Sequence, residues 1–190
     1  MATTATAQKP HAVVNGVDVT ALGETLAAVQ ANPSLGKFQF RNRNQWLGGS
    51  LNRSTIKGFY GAGQEDATRV KAYHFDNDEP PVLLGKDRGA NPVEFLLHAL
   101  AGCMTTAMVY LAASRGIEIE ALESNIEGDI DIRGFTGLSP DVPKGYREIR
   151  VNFRAKTDAD PAILVDLAKM SPVFNTVAGS VAVKVNVETY

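Results

Sequence analysis

The amino-acid sequence predicts an α+β fold in which antiparallel β-sheets wrap around a long central helix. Three observations support this prediction. Strand-like segments fall into two groups, residues 37–75 and 126–155, and an uncharged stretch of twenty residues, 95–114, lies between them. Strands and helices are grouped along the chain instead of alternating regularly, which favours antiparallel sheets over a parallel α/β fold.

The composition is ordinary for a globular protein, with 44% hydrophobic and 21% charged residues. The net charge is −2 and Lys and Arg are scattered, so the sequence has no footprint for nucleic acid. The only cysteine, Cys103, cannot form an intramolecular disulfide or a multi-cysteine metal site, and we expect a reducing, cytoplasmic setting. His11, His74 and His98 lack metal-ligand spacing, and nucleotide-binding motifs are missing, so no metal or cofactor is expected.

Two parts are predicted along the chain: an N-terminal leader with a short helix over residues 1–35, and a single domain over residues 36–190. Residues 1–16 are mostly polar and predict a mobile leader without the features of a secretory signal. Residues 15–32 have apolar side chains at helical spacing, and Asn32-Pro33 ends the predicted helix.

Residues 37–75 predict three strands paired as a meander, separated by glycine-containing turns. The following loop, residues 76–90, contains two prolines, two glycines and the acidic residues Asp76, Asp78 and Glu79. We interpret these acidic side chains as part of a solvated loop.

The long helix is predicted over residues 91–116. Asn91 suits the N-cap, Pro92 the first helical position, and Glu94 the third position of a capping box. Gly116 is expected to end the helix. The uncharged stretch is long enough to cross a bilayer, but its polar residues and its β-rich surroundings favour a core helix that is buried on all sides.

The C-terminal third predicts a hairpin, a helix and a final strand. Ile126, Gly128, Ile130 and Ile132 alternate with charged residues, and residues 149–155 alternate likewise. A helix begins at Asp160-Pro161 with Ile163, Leu164 and Leu167 on its apolar side, and Ser171-Pro172 breaks it. The last strand contains valines at 181, 183, 185 and 187.

Cys103 is the main candidate for chemistry, although a lone cysteine in an apolar helix is usually an inert core residue. A free thiol with a pKa near 8.5 is only about 3% ionised at pH 7, so a reactive thiol needs a neighbouring cation. At about 100° per residue, Cys103 shares its helix face with Leu96, Ala99, Ala107 and Tyr110. Glu94 and His98 point elsewhere, and we assign Glu94 to capping and His98 to the interior or an interface.

The segment NPVEFLLHALAGC, residues 91–103, resembles the OsmC/Ohr family of thiol-dependent peroxide-reducing proteins. The resemblance covers roughly residues 37–188, and the helix motif with its cysteine is the most specific part. It implies an intertwined homodimer with the long helices in the middle and an active site at the subunit interface. It also implies that Cys103 attacks the O–O bond of an organic hydroperoxide to give a sulfenic acid and an alcohol.

The sequence departs from the family pattern at two positions. Ser171 stands where the family has a resolving cysteine before a proline, and Val93 stands where the family has its active-site glutamate. The family's thiolate-organising arginine corresponds best to Arg41 or Arg43, and less well to Arg53 or Arg88. We therefore predict Cys103, Arg43 and Arg41 as catalytic residues.

We also predict that Leu96, Tyr110 and Ser171 contact the substrate.

Three functional interpretations stay open. The first is a one-cysteine reductase of organic hydroperoxides or related electrophiles, restored by an external thiol of unknown identity. The second is a non-peroxidase homodimer that binds a small apolar ligand or electrophile at its interface. The third is a structural or partner-binding role with an inert cysteine. No nucleic-acid or membrane partner is expected in any of them.

Overall fold

A computed structural model of the chain describes residues 12–190. The strands are β1 (Val13–Val14), β2 (Val17–Asp18), β3 (Arg43–Gly48), β4 (Leu51–Ile56), β5 (Tyr60–Gly61), β6 (Gln64–Glu65), β7 (Tyr73–Asn77), β8 (Ala121–Asp129), β9 (Glu148–Lys156) and β10 (Ala182–Thr189). The α-helices are α1 (Val19–Ala31), α2 (Pro92–Ser114), α3 (Ile132–Phe135), α4 (Pro161–Lys169) and α5 (Pro172–Ala178). Short 3-10 turns occupy Pro33–Gly36 and Pro81–Leu83.

The described residues fall into two compact units. One unit contains residues 12–26 and 103–190, and the other is Ala27–Gly102. Helices α1 and α2 each continue along the chain from one unit into the other. The predicted single domain over residues 36–190, with a leader and helix before it, stays a prediction.

The unit Ala27–Gly102 contains the predicted meander, an antiparallel sheet in the order β3-β4-β7. The first strand begins later than expected, because residues 37–42 contribute only an isolated bridge between Gln39 and Tyr60. Register places Asn44, Ser54 and Phe75 in one row across the sheet. Arg43, Thr55 and His74 form the neighbouring row. Since successive side chains of a strand point to opposite faces, these two rows lie on opposite faces of the sheet.

A small hairpin, β1–β2, stands where the sequence predicted the end of a polar leader; residues 1–11 of that leader lie outside the described residues. Its turn is Asn15-Gly16, with φ values of 53° and 75°, the positive angles that a two-residue hairpin turn requires. The side-chain NH2 group of Asn15 donates to the Ile117 carbonyl (2.9 Å), and the side-chain oxygen of Asn15 accepts from the backbone amide of Ile119 (2.8 Å). These bonds fix the hairpin to the segment after α2, and the Asn-Gly pair was the signal that the prediction missed.

Both ends of α2 follow the predicted capping rules. At its C-terminus the Ile117 amide bonds to the Ala112 carbonyl (2.9 Å) and the Gly116 amide to the Ala113 carbonyl (3.0 Å). This pair of bonds is a Schellman motif, and Gly116 adopts the positive φ of 70° that the motif needs. The helix boundaries were therefore predictable from local sequence.

Within the single chain, α2 is buried along one side. One line of residues, Leu100, Met104, Met108 and Ala112, is fully buried, each with 0% exposure. The opposite side is open: Leu96 is 39% exposed and Tyr110 47%. The chain itself therefore covers one side of α2, and the predicted burial of the other sides, which needs the partner subunit of the implied homodimer, stays a prediction.

The sheet of the other unit has the order β10-β9-β8. Strand β9 alternates as predicted, and Ile149, Val151, Phe153 and Ala155 are buried on one face. The predicted partner strand ends at Asp129, so Ile130 and Ile132 were wrongly included in it. Asp131 stops the strand because its side chain accepts from the Arg133 amide (3.1 Å) and caps the short helix α3.

One strand pair departs from the antiparallel pattern, since β10 pairs with β9 in parallel. Two helices, α4 and α5, connect these strands and return the chain to the end where β9 began, which is the connection that a parallel pair needs. Helix α4 buries Leu164 and Leu167 as predicted, whereas Ile163 is 40% exposed. Ser171-Pro172 ends α4 but also begins α5, a helix that the prediction missed.

Candidate functional site

The start of α2 is held by the predicted capping box. The Asn91 side chain accepts a hydrogen bond from the Val93 amide (2.9 Å), and the Glu94 carboxylate accepts one from the Asn91 amide (2.9 Å). The assignment of Glu94 to capping is confirmed. The Asn91 amide group also donates to the Glu79 carboxylate, which ties the preceding loop to the helix.

Asp78 organises that loop and is not solvated, so the interpretation of this residue as part of a solvated loop was wrong. Its side chain is 1% exposed and accepts hydrogen bonds from the Ser50 hydroxyl (2.5 Å) and the Arg88 guanidinium (3.2 Å). The amides of Glu79, Lys86 and Arg88 donate to the same carboxylate. These donors, the Ser50 hydroxyl first, hold the pKa of Asp78 well below its usual range. The carboxylate therefore fixes the loop that leads into α2.

Cys103 lies near the middle of α2 and is half-buried. It stands beside the buried line of the helix, about 60° from Leu100 and 100° from Met104 by helical rotation. No residue between 12 and 190 forms a hydrogen bond with its sulfur. The thiol is thus neither sealed in the core nor used as a structural hydrogen-bonding group.

The arginines considered for the thiolate differ in what they bind. Arg41 forms a two-pronged ion pair with Glu65, with both distances 2.8 Å. Arg53 does the same with Asp76 at 2.6 and 2.7 Å, and Arg88 binds Asp78. The Arg43 side chain forms no ion pair or hydrogen bond with any residue of 12–190. Of the four, only Arg43 is free to serve another anion within that part of the chain.

Ser171 is fully buried and caps α5. Its hydroxyl oxygen accepts from the Phe174 amide (3.1 Å), the usual bond of a serine at the N-cap. The Asn175 amide holds the same junction through the carbonyls of Ser171 and Lys169, both at 2.8 Å. This position has a structural role in the fold, and its predicted contact with substrate stays a prediction.

A cavity of about 510 Å³ lies within the unit Ala27–Gly102. Its apolar lining is Ile56, Phe75, Pro92, Phe95 and Ala99. Its polar lining is Asn42, Ser54, Asn77 and His98. The strand residues among them lie on the same face of the sheet as Ser54 and Phe75, so they were recognisable only once the register was known.

The predicted substrate and catalytic residues are not among those that line this cavity. Arg43 projects from the opposite face of the sheet, and Arg41 is bound to Glu65. Leu96 and Tyr110 lie on the exposed side of α2. Their approach to Cys103 or to a substrate stays a prediction.

Residues 12–190 contain no cluster of metal-ligating side chains, and one of their helices is long and apolar enough to cross a membrane. No group of three metal-ligating side chains is found within that range. Helix α2 is long and apolar enough to cross a bilayer by length and composition, a property that it shares with core helices of soluble proteins.

Comparisons with known proteins agree with the predicted family. The model of the family described as OsmC-like protein matches residues 85–186, more than half of the 190 residues. No curated protein matches the chain significantly.

Several solved structures share the fold. An OsmC-like protein from Mycoplasma pneumoniae is 19% identical, with a TM-score of 0.60 over 80% of this chain and 96% of that one. An organic hydroperoxide resistance protein OsmC from Legionella pneumophila is 18% identical, with a TM-score of 0.55 over 78% and 97%. An organic hydroperoxide resistance protein from Elizabethkingia anophelis is 17% identical, with a TM-score of 0.57 over 80% and 97%. At these identities the likeness shows the fold alone. Together with the family match, which includes Cys103 and its helix, it establishes that the chain belongs to the OsmC-like protein family.

Proposed function

We propose that this protein reduces organic hydroperoxides in oxidative-stress defence, with Cys103 as its only redox thiol. The observation that supports this most is the setting of Cys103, a half-buried thiol without a hydrogen-bond partner among residues 12–190, within the helix that the family model matches. Two structures with the same fold are named as organic hydroperoxide resistance proteins. The proposal places the protein in the cytoplasm and includes no nucleic-acid or membrane partner.

The chemistry is a two-electron transfer from sulfur to the peroxide. The Cys103 thiolate attacks the terminal oxygen of the hydroperoxide, the S–O bond forms and the O–O bond breaks. The sulfur becomes a sulfenic acid, and the leaving oxygen takes a proton to become an alcohol. The sum is one thiol and one hydroperoxide giving one sulfenic acid and one alcohol.

An external thiol completes the cycle in this proposal. The chain has a single cysteine, so it cannot form an intramolecular disulfide. Two equivalents of a small thiol would reduce the sulfenic acid, releasing water and the disulfide of that small thiol and restoring Cys103. Ser171 takes no part in this step because a hydroxyl cannot form a disulfide.

Arg43 is the cation that we assign to the thiolate, and Arg41 is the weaker candidate. A positive charge near sulfur lowers a thiol pKa and raises the fraction that can react at neutral pH. Arg41 already neutralises Glu65, and that ion pair raises the pKa of Arg41 and lowers that of Glu65. Arg43 makes no such pair within residues 12–190.

The homodimer is also part of the proposal. Two large apolar side chains of α2, Leu96 and Tyr110, are exposed, and a second copy is the partner that the family fold implies. Light scattering after size exclusion should give the mass of a dimer. Tyr110→Glu should shift it towards monomer, whereas Val70→Glu, at an exposed apolar residue outside α2, should not. A monomeric wild type would refute this part.

Turnover is tested by stopped-flow reaction with cumene hydroperoxide in the presence of dithiothreitol. We expect the wild type to consume peroxide and Cys103→Ser to show only the background rate. Equal rates for the two proteins would refute the proposed function. Circular dichroism should show that both are folded.

The cation is tested by following alkylation of Cys103 against pH. We expect an alkylation midpoint below that of free cysteine for the wild type, and a higher one for Arg43→Gln. Arg53→Gln is the matched control, because Arg53 is bound to Asp76 and should leave the midpoint unchanged. A wild-type midpoint at or above that of free cysteine would contradict a peroxidase role.

The second candidate function is binding of a small apolar ligand without thiol chemistry. The 510 Å³ cavity favours it, because a mostly apolar cavity with a few polar groups is typical of small-molecule sites. Equal binding of an apolar probe by the wild type and Cys103→Ser, with no peroxide reduction by either, would establish this alternative.

A further inference from the structure

The turn of the β1–β2 hairpin is the only Asn-Gly pair in the sequence, Asn15-Gly16. Both residues adopt positive φ angles, 53° and 75°, which this type of turn requires. Asn-Gly is also the dipeptide in which asparagine loses its side-chain nitrogen most readily, because glycine has no side chain to shield its backbone nitrogen. The pair that forms the turn is therefore also the most reactive amide position of the chain.

The fold restrains this amide at both of its polar atoms. The side-chain NH2 group of Asn15 donates to the Ile117 carbonyl (2.9 Å), and its oxygen accepts from the Ile119 amide (2.8 Å). Both partners belong to the segment that follows α2, so the side chain is held only while the hairpin lies against that segment. The buried side chain of Val17 is a second anchor of the hairpin. The Asn15 amide is thus free to react only when the hairpin leaves this position.

We propose that Asn15 is a modification site, which deamidates when the β1–β2 hairpin separates from the segment after α2. The backbone nitrogen of Gly16 attacks the side-chain carbonyl carbon of Asn15, and a C–N bond forms. The bond to the side-chain nitrogen breaks, and ammonia leaves with the proton of the Gly16 amide. Water then opens the cyclic imide to give aspartate or isoaspartate. In sum, one water is consumed and one ammonia is released, with no electron transfer.

The product weakens the return of the hairpin. A carboxylate only accepts hydrogen bonds, so the donor to the Ile117 carbonyl is replaced by an oxygen that faces another oxygen. The new negative charge lies at a part-buried position, where the lost bond costs more than at an exposed one. Because deamidation is irreversible, it converts a transient opening of the hairpin into a lasting one. The inference goes beyond the proposed function and does not depend on the reactivity of Cys103.

The first test compares the folded wild type with the same chain in urea. Peptide mass spectrometry after incubation in mildly alkaline buffer measures the product at Asn15, through a mass increase of about 1 Da and the separation of isoaspartate from aspartate. We expect the folded protein to react at least about tenfold more slowly than the chain in urea, because reaction follows the open fraction of the hairpin.

Two valines of the hairpin supply matched variants. Val17→Ala removes buried methyl groups, which weakens docking and should raise the rate in the folded protein about tenfold. Val13→Ala removes the same atoms from a side chain that is 63% exposed, and should leave the rate unchanged. In urea the two variants should react alike, because both keep the Asn-Gly pair.

The effect of the product is tested with Asn15→Asp, which reproduces the aspartate form. Hydrogen exchange of the Ile119 amide should be about tenfold faster in this variant than in the wild type, because that amide is protected by the docked hairpin. Asn125→Asp adds the same charge at an exposed position of β8, and should leave the exchange of Ile119 unchanged.

Four results would overturn the proposal. They are absence of product in urea, equal rates for the folded protein and the chain in urea, equal folded-state rates for Val17→Ala and Val13→Ala, and equal Ile119 exchange in Asn15→Asp and Asn125→Asp. None of these measurements uses peroxide, so a failure of peroxide reduction leaves them standing.

Discussion

Replacing Ser171 with alanine should destabilise the protein by a measurable amount. Ser171 is fully buried, and its oxygen accepts the Phe174 amide at 3.1 Å as the N-cap of α5. Loss of a serine cap costs about 1 kcal/mol, and the amide that loses its partner in a part-buried position brings the expected total to about 1–2 kcal/mol. The hydrogen bonds of Asn175 to the same junction remain in the variant, which keeps the loss within this range.

Thermal and urea unfolding, followed by circular dichroism, measure this loss. For a protein of this length, about 1 kcal/mol corresponds to roughly 2–4 °C in the midpoint, so Ser171→Ala should melt roughly 2–8 °C lower. Ser114→Ala is the control, because the Ser114 hydroxyl donates to the Leu111 carbonyl at an exposed site and should contribute within about 0.5 kcal/mol. If the two variants unfold at the same midpoint, the capping role of Ser171 is wrong.

Three further predictions concern the core, the acid response and the missing cysteine. Phe153→Ala should cost about 3–5 kcal/mol in urea unfolding because the ring is almost fully buried; a loss near that of an exposed site would contradict its core position. The Arg133 side chain lowers the pKa of Asp131 to about 2. The Asp131–Arg133 interaction should therefore stabilise the fold fully above about pH 4 and lose its effect as the pH falls towards 2. If acid lowers the urea midpoint of the wild type no more than that of Asp131→Asn, this prediction is refuted. Ser171→Cys treated with peroxide should form a disulfide with Cys103, visible on a non-reducing gel, and the absence of a new band would count against proximity of the two positions.

The boundaries of α2 were predictable because the interactions that set them are local. Asn91, Pro92 and Glu94 act within one turn of each other, and Gly116 ends the helix through its own backbone angle. Such signals operate whatever the rest of the chain does. The meander of β3, β4 and β7 followed for a similar reason, since each strand pairs with the next along the chain.

The sequence did not predict the features that depend on contacts between residues far apart along the chain. The parallel pairing of β10 with β9 depends on two helices returning the chain, and the valine alternation of β10 is equally compatible with an antiparallel partner. Asp78 shows the same limit. An acidic residue beside prolines predicts a solvated loop, and only the tertiary positions of Ser50 and Arg88 make its burial favourable.

Ser171-Pro172 was interpreted as a helix break, which is half of its role. Serine followed by proline is also the pair that begins a helix, with serine at the cap and proline at the first position. The residue types support both interpretations. The short distance in sequence between α4 and α5 made the break the more visible signal.

The two faces of the three-stranded sheet separate the two candidate functions. Arg43 and Thr55 lie in one row, and Ser54 and Phe75, which line the cavity, lie in the other. A molecule bound in the cavity therefore cannot also contact Arg43, because the sheet stands between them. If Arg43 activates Cys103 while the cavity holds an apolar ligand, one sheet serves two activities on opposite sides. A substitution that fills the cavity would then change ligand affinity while leaving the alkylation midpoint of Cys103 intact, and removing Arg43 would do the reverse.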